Sequence, residues 1–215
     1  MTNALLEQAN EELGTGRDLS DADFSAVSLL YQRTVHVPDS KPIQQVLLCP
    51  VGLVGAGKST VVKPISERLS FVRISTDEIR KLLKEQGFNY GRTREMAYRL
   101  ISEFLQKGYS IAIDADCINQ EARDAIKKVA EKYRLASLWI HINPPEEFII
   151  NKLRNFQHTW LFRDAKDAIN NYRRRKPLHA EYLKLIDFYF TFDTSKSDLD
   201  AQINQFVEKF HHDFG

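Results

Sequence analysis

The chain has few of the residues that mark disulfide-stabilised or membrane-bound proteins. Its 215 residues include only two cysteines, Cys49 and Cys117, which excludes a disulfide framework. No apolar run approaches the length that spans a membrane, and residues 1–16 lack the basic and apolar regions of a signal peptide. The sequence also contains no internal repeat and no low-complexity tract. We therefore expect a cytoplasmic protein with no membrane partner.

A strong net charge is absent as well. The 30 basic and 29 acidic residues give a formal net charge of +1, which excludes a globally basic nucleic-acid binder. The charge is unevenly distributed: residues 1–40 hold seven acidic and two basic residues, whereas residues 152–176 hold eight basic and two acidic ones. The chain thus concentrates its positive charge in one segment.

Length and a hydrophobic content of 43% predict one domain with a terminal extension. We place an N-terminal helical extension at residues 1–40 and the main domain at residues 41–215. Within the extension, Ser20 is a good cap for a short helix. The packed face of that helix is predicted to consist of Phe24, Val27, Leu30 and Tyr31.

One specific pattern is present at residues 52–59, which read GLVGAGKS and match the phosphate-binding loop G-x-x-x-x-G-K-[ST]. An apolar run of strand type, residues 46–51, precedes the pattern. Apolar residues at helical spacing follow it, namely Val61, Val62, Ile65 and Leu69. Strand, glycine loop and helix are the arrangement that binding of a nucleoside triphosphate requires.

Each residue type in this loop has a physical role. Glycines let the backbone approach a phosphate and turn its N–H groups inward, at the positive end of the following helix. Lys58 is expected to reach the β- and γ-phosphates, and the Ser59 hydroxyl to bind Mg²⁺. The predicted cofactors are therefore ATP and Mg²⁺. The predicted nucleotide-binding residues are Gly52, Val54, Gly55, Ala56, Gly57, Lys58, Ser59 and Thr60. The alternative is a glycine-rich turn before an ordinary helix.

Alternating strand and helix patterns predict a parallel sheet that is covered by helices on both faces. The strands are predicted at residues 46–51, 71–74, 110–113, 135–142 and 188–192. In such sheets ligands bind beyond the carboxyl ends of the strands. The phosphate loop, residues 75–80 and residues 114–116 should therefore share one edge of the sheet.

Two aspartates at this edge have both a functional and a structural interpretation. Asp77 is either a general base for a substrate hydroxyl or an acid that favours a helix N-terminus. Arg80, three residues later, is placed to hold an anionic acceptor. Asp114 is either associated with Mg²⁺ together with Ser59 or a simple strand-end cap. Asp116 is a weaker candidate for the same site.

The basic segment has two interpretations. Residues 152–176 are either a solvated helical face or a mobile lid whose arginines neutralise charge and exclude water. Arg154 and Arg163 are spaced like residues that flank such a lid. In the basic run at residues 173–176, successive side chains on a helix point about 100° apart, so one or two of Arg173, Arg174 and Arg175 can face a ligand.

Taken together, five segments resemble P-loop kinases of the polynucleotide kinase and zeta-toxin type, small kinases similar to AAA-family ATPases. They are GLVGAGKST, STDEIR, LQKGYSIAIDADCINQEAR, LWIHINPPEEFIINKLR and FDTSKSDLDAQI, in this order over roughly residues 44–212. The resemblance implies a three-layer α/β P-loop NTPase fold with a helical lid at about residues 152–176. It also implies a five-stranded parallel sheet in the order 2-3-1-4-5.

The resemblance further implies roles for individual residues. Asp77 matches the base that activates the acceptor, and Arg80 matches an arginine that contacts it. Arg154 and Arg163 match lid arginines that close over the phosphates. The chain departs from the polynucleotide kinase pattern at Glu78, where that pattern has a second aspartate. We also expect no attached phosphatase or ligase domain.

The leading functional hypothesis is a kinase that moves the γ-phosphate of ATP to a hydroxyl of a nucleic acid, a nucleotide or a small molecule. A 5′-hydroxyl polynucleotide and a nucleotide sugar are both open as acceptors, and a nucleotide-binding ATPase module without a small acceptor is the alternative. A GTPase is disfavoured because the guanine-reading N-K-x-D is absent. The loop at residues 88–94 either lines the acceptor pocket with aromatics and arginines or is an ordinary surface loop.

Overall fold

The computed structural model describes residues 16–155 and 161–215, so residues 1–15 of the predicted extension and residues 156–160 of the predicted lid lie outside it. Five strands form one sheet in which every pairing is parallel, in the order β2-β3-β1-β4-β5. They are β1 (Val46–Val51), β2 (Val72–Ser75), β3 (Ile111–Asp114), β4 (Ala136–Ile142) and β5 (Phe190–Phe192). The predicted sheet and its strand order are confirmed.

Helices connect the strands and cover both faces of the sheet. In the described residues they are α1 (Asp21–Thr34), α2 (Lys58–Arg68), α3 (Thr76–Glu85), α4 (Thr93–Gln106), α5 (Gln120–Tyr133), α6 (Glu146–Arg154), α7 (Ala165–Leu183) and α8 (Leu199–Phe214). Local side chains begin several of them: Ser20, Ser75 and Asn119 each accept a hydrogen bond from a backbone N–H three residues later.

The core has two apolar layers, one on each face of the sheet. Side chains alternate along a strand, so β1 divides its buried residues: Leu47 and Cys49 belong to one layer, and Val46 and Leu48 to the other. The first layer is completed by α1, α3, α4 and α5, and the second by α2, α6, α7 and α8. This is the predicted three-layer arrangement, and it directs the carboxyl ends of all strands to one edge.

Two local expectations were wrong. Leu30 does not lie on the packed face of α1 but is 40% exposed. The buried residues of this helix have the spacing i, i+3, i+4 and i+7, which leaves Leu30 off the packed face; they are Phe24, Val27, Ser28 and Tyr31. Strand β5 begins at Phe190 rather than at Phe188, whose ring instead stacks on His141 with the ring centroids 4.8 Å apart.

None of the helices within residues 16–155 and 161–215 has both the length and the apolar character that crossing a membrane requires.

Candidate active site

The phosphate loop, residues 52–59, leaves the carboxyl end of β1 and leads directly into α2. Two of its glycines have left-handed backbone conformations, Gly55 at φ +81° and Gly57 at φ +93°. Side chains strain this conformation, which explains glycine at both positions. Gly57 is also the N-cap residue of α2, so the first N–H groups of that helix face the loop. The loop therefore has the backbone form of an anion-binding site.

Helix α6 and Thr194 both pack closely against this loop. A Cβ atom at Gly55 would lie 3.0–3.1 Å from Leu153 and Ile149 of α6, and one at Gly57 would lie 3.1 Å from the Thr194 side chain. Thr194 also donates a hydrogen bond to the Ala56 carbonyl oxygen at 2.7 Å. Thr194 was missed in the sequence, although its position just beyond β5 could have placed it at this edge.

The Lys58 side chain binds the backbone at the start of the loop. Its ammonium group donates to the carbonyl oxygens of Gly52 at 2.7 Å and of Leu53 at 3.1 Å. An ammonium carries three donors, so these two bonds fix the side chain and still leave capacity for an anion. Lys152 of α6 is close enough that the Lys58 charge adds to burial in lowering the pKa of Lys152. Two ammonium groups thus adjoin the loop.

Ser59 and Asp114, the two predicted metal-site residues, are brought together. The Ser59 hydroxyl donates to Asp114 Oδ1 at 2.9 Å, and the Asp114 side chain is buried at the end of β3. Burial raises the pKa of Asp114, while the nearby Arg73 guanidinium opposes that rise. Hydroxyl and carboxylate oxygens are the ligands that Mg²⁺ prefers, so the pair fits this ion.

The pair needs further oxygen ligands to hold a metal ion. No group of three or more His, Cys, Asp or Glu residues in the described part of the chain could hold one alone. Sites for Mg²⁺ commonly combine one or two protein oxygens with water and substrate phosphates. Ser59 and Asp114 lie where phosphates in the loop would complete such a set.

Arg73 of β2 is a site residue that the sequence analysis missed. Its guanidinium donates to Asp114 Oδ2 at 2.6 Å and forms a second ion pair with Glu78 of α3. Burial works to lower the pKa of Arg73, but the two carboxylates outweigh it and raise the pKa. A single charged residue within an otherwise apolar strand was the available signal. Glu78, the departure from the polynucleotide kinase pattern, is therefore part of an ion-pair chain that ends at Asp114.

Asp77 and Arg80 form an ion pair on the first turn of α3, with Arg80 Nη1 2.7 Å from Asp77 Oδ1. Their side chains are 48% and 31% exposed, so both are accessible from the solvent side of the sheet edge. Ser75, which precedes α3, lies opposite Asp114 in the sheet, and the Asp77 charge adds to the burial that raises the pKa of Asp114. The predicted base and acceptor arginine are thus beside the predicted metal residues.

Asp116 connects the phosphate loop to α7. Its carboxylate, with the side chain 9% exposed, accepts a hydrogen bond from the Gly52 N–H at 3.3 Å and one from Arg175 Nη2 at 3.1 Å. His179, one turn after Arg175, has its Nε2 3.9 Å from Asp116 Oδ1. Arg175 is therefore the residue of the 173–175 run that faces inward, and Asp116, the weaker candidate from the sequence, connects it to the phosphate loop.

The two arginines predicted to flank the lid contact residues that are near them in the chain. Arg154 donates to Asn151 Oδ1 at 2.7 Å, and Arg163 forms an ion pair with Asp167 at 3.5 Å. Both side chains are exposed. Their role in closing over phosphates stays a prediction.

A cavity of about 460 Å³ adjoins the loop at Leu53, beyond the carboxyl ends of β4 and β5. Its walls come from the turn after β4, from the first residues of α6 and from one face of α7. The side chains that line its polar part are His141, Asn143, Glu146, Lys176, His179 and Asp193. Its volume is in the range of small-molecule sites.

His179 should make the stability of the fold depend on pH. Its side chain is 6% exposed, and burial lowers its pKa from 6.5 to about 4, although Asp116 works in the opposite direction. The unfolded chain therefore binds more protons between pH 4 and 6.5. Stability from this residue is complete above about pH 6.5 and is lost as the pH falls toward 4, by up to about 3 kcal/mol.

Urea unfolding at several pH values between 5 and 7 measures this effect. We expect His179→Gln to reduce the pH slope of the unfolding free energy, whereas His36→Gln, a change at an exposed histidine, should leave it intact. Equal slopes in the parent and in His179→Gln would contradict the assignment.

Comparison with known proteins identifies the family of this chain. The model of a family described as an AAA domain matches residues 47–167, more than half of the chain. The bifunctional shikimate kinase/3-dehydroquinate synthase of Thermotoga maritima is 26% identical over 147 residues, which cover 63% of this chain. The same match covers 28% of that protein, so the chain spans well under a third of this curated relative's length.

Solved structures share the fold at lower identity. A chain from the PezAT chromosomal toxin-antitoxin system of Streptococcus pneumoniae is 14% identical with a TM-score of 0.56, over 89% of this chain and 98% of that one. A Chloroflexus aurantiacus protein is 13% identical with a TM-score of 0.55, over 82% of this chain and 100% of that one. These likenesses show that the fold is shared with solved structures. Since the family model covers more than half of it, the chain belongs to the AAA domain family.

Proposed function

We propose that this member of the AAA domain family is a kinase that transfers the γ-phosphate of ATP, with Mg²⁺, to a hydroxyl group. One observation carries the proposal: a closed phosphate loop, a Ser59–Asp114 oxygen pair and an accessible Asp77–Arg80 pair meet at the carboxyl ends of three adjacent strands. Phosphoryl transfer needs these three components, namely a phosphate cradle, oxygen ligands for a metal and a positioned base with positive charge.

The loop and its neighbours bind the donor. The N–H groups at the start of α2 and the remaining donor capacity of Lys58 are directed to the phosphate oxygens. Ser59 and Asp114 would hold Mg²⁺, which neutralises phosphate charge when it is bound. Lys152 lies on α6 beside the loop and adds a second positive charge there.

The acceptor side is formed by α3. The acceptor oxygen attacks the γ-phosphorus, a new O–P bond forms, and the bond to the β-phosphate oxygen breaks so that ADP leaves. Asp77 takes the proton from the attacking hydroxyl, and Arg80 holds the acceptor. Burial raises the pKa of Tyr90, and the charge of Arg80 opposes that rise. Its ring is a stacking surface for an acceptor with a planar group.

The acceptor is proposed to be a 5′-hydroxyl polynucleotide or a nucleotide sugar, as the resemblance implies. Two residues of the loop at 88–94 are held by other contacts. Phe88 is buried, with the Arg17 guanidinium over its ring. Arg92 forms ion pairs with Asp21 and Glu95. These contacts favour a supporting role for both residues, so acceptor recognition is assigned to Arg80 and Tyr90. The T. maritima relative is named in part for a shikimate kinase, which supports including small alcohols among the acceptors tested.

A panel of acceptors tests the proposal directly. Radiolabelled ATP with Mg²⁺ is offered with 5′-hydroxyl oligonucleotides, nucleosides, nucleotide sugars and small alcohols, using Lys58→Ala as the background control. Label transferred to one class by the parent chain supports the kinase assignment and names the acceptor. ADP formed at the same rate with and without every acceptor would instead favour an ATPase module.

Arg175 is proposed to add positive charge at the transferring phosphate. Arg175 and the Gly52 N–H both donate hydrogen bonds to the Asp116 carboxylate. The Gly52 carbonyl oxygen in turn accepts a hydrogen bond from Lys58. We expect Arg175→Ala to lower turnover about tenfold, the worth of one charge-assisted hydrogen bond. Steady-state kinetics of the parent and the variant measure the effect.

Arg174→Ala is the matched control, since Arg174 is the exposed neighbour on the same helix. Equal losses in both variants, with a steep salt dependence, would mean that the basic face docks a polyanionic acceptor instead. The same kinetics on Arg154→Ala and Arg163→Ala test the two lid arginines implied by the resemblance.

A further inference from the structure

The N-terminal extension contacts the helix that carries Asp77 and Arg80. Strand β2, which leads into that helix, is at the edge of the sheet, with β3 on one side only. An edge strand presents backbone N–H and C=O groups that need other partners. Helix α1 packs against α3 and α4 on this side, and its Phe24, Val27 and Tyr31 share an apolar cluster with Ile79 and Leu83 of α3.

Tyr31 supplies the missing partners at the last residue of β2. Its hydroxyl accepts a hydrogen bond from the Ser75 N–H at 2.8 Å and donates to the Ser75 carbonyl oxygen at 3.3 Å. A phenol hydroxyl can do both because it is a donor and an acceptor at once. Tyr31 is 2% exposed, and burial raises its pKa, so the hydroxyl keeps its proton.

Ser75 is the joint between the sheet and α3. Its side chain accepts a hydrogen bond from the Glu78 N–H and so caps α3. Ser75 is two residues before Asp77 in the chain. In the sheet it lies opposite Asp114 of β3. A change in the backbone at Ser75 would therefore move the proposed base relative to the proposed metal site.

The extension also holds the far end of α3. The Arg17 N–H donates to the Gly87 carbonyl oxygen, and the Asn89 N–H donates to the Arg17 carbonyl oxygen, both at 3.0 Å. Gly16 lies so close to this segment that a Cβ atom there would be 2.5 Å from the backbone of Phe88. Residues 16–34 thus contact Ser75 just before α3 and the segment just after its last residue.

We propose that residues 16–34 are a working part of the phosphotransfer site, a clamp on α3 in which Tyr31 is the positioning residue for Asp77 and Arg80. The proposal rests on the proposed function through the role of Asp77. It assigns the extension to the acceptor half of the reaction and not to nucleotide binding, because the loop at residues 52–59 has its own supports in α6 and Thr194.

Tyr31→Phe tests the clamp, with Tyr98→Phe as the matched control. Tyr98 is a partly buried tyrosine of α4 that packs against the same apolar cluster. We expect Tyr31→Phe to lower kcat roughly tenfold, because small misplacements of a catalytic group are costly, and to leave the KM for ATP within about twofold. Hydrogen exchange should become faster in peptides covering residues 75–80 and stay unchanged at residues 52–59. Tyr98→Phe should change none of these quantities.

Two results would overturn the proposal: parental kcat in Tyr31→Phe, or an equal rise in exchange along the whole chain. If Tyr31→Phe does not fold, Gly16→Ala loosens the clamp from its other end and should give the same kinetic pattern. The readouts separate this proposal from the proposed function. The absence of a thermal shift with Mg²⁺–ATP in the parent chain would contradict the kinase assignment. The rate of hydrogen exchange at residues 75–80, in contrast, tests the clamp without any turnover.

Discussion

Replacing Lys58 with alanine is expected to remove most of the stabilisation that Mg²⁺–ATP gives to this protein. A ligand at a hundred times its dissociation constant should stabilise the fold by about 2.7 kcal/mol. Lys58→Ala removes the cation at the phosphates and also leaves the Gly52 and Leu53 carbonyl oxygens without the ammonium that closes the loop. The variant should therefore lose nucleotide affinity both through charge and through a loosened loop.

A thermal-shift titration with Mg²⁺–ATP measures this loss. Lys63→Ala is the control, because Lys63 is an exposed lysine on the same helix, α2, and carries the same charge. We expect the control to keep the parental shift. A full shift in Lys58→Ala, or no shift in the parent with any Mg²⁺–nucleotide, would remove the basis of the kinase assignment.

Asp77→Asn is expected to abolish transfer to the acceptor while nucleotide binding stays nearly intact. The asparagine keeps the size of the side chain but cannot take the proton of the attacking hydroxyl, which should cost roughly a hundredfold or more in turnover. It also leaves Arg80 without its 2.7 Å ion-pair partner, so the affinity for the acceptor is expected to change as well.

The control for this variant is Glu85→Gln, which neutralises an exposed carboxylate at the other end of α3. Initial rates with the acceptor found in the panel, together with the Mg²⁺–ATP thermal shift, separate catalysis from binding. Parental turnover in Asp77→Asn would mean that the carboxylate only favours the start of the helix.

The sheet and much of the candidate site were predictable because they depend on local patterns. Apolar runs that alternate with helical patterns predicted the strands, and the rule that ligands bind beyond strand ends predicted that Ser59, Asp77 and Asp114 would be neighbours. Glycine at positions 55 and 57 matched a left-handed backbone. Each of these inferences needs only the residues within one segment and the known direction of parallel strands.

The remaining contacts depend on how distant segments pack, which no single segment encodes. Arg73 looked like an ordinary strand residue until α3 and β3 were beside it. Arg175 was one member of a basic run, and only the position of α7 over Asp116 distinguishes it from its neighbours. Tyr31 was predicted to be buried, but its hydrogen bonds to Ser75 require the location of the sheet edge.

The packing of α1 beside the edge strand β2 also affects whether copies of this chain associate. A sheet grows between molecules when an exposed edge strand pairs with a neighbour, and long uncovered edges promote aggregation. Here one edge strand has its last backbone groups occupied by Tyr31, and the other, β5, is only three residues long. The two edges of the sheet thus offer little backbone for intermolecular strand pairing, so we expect removal of α1 to promote aggregation.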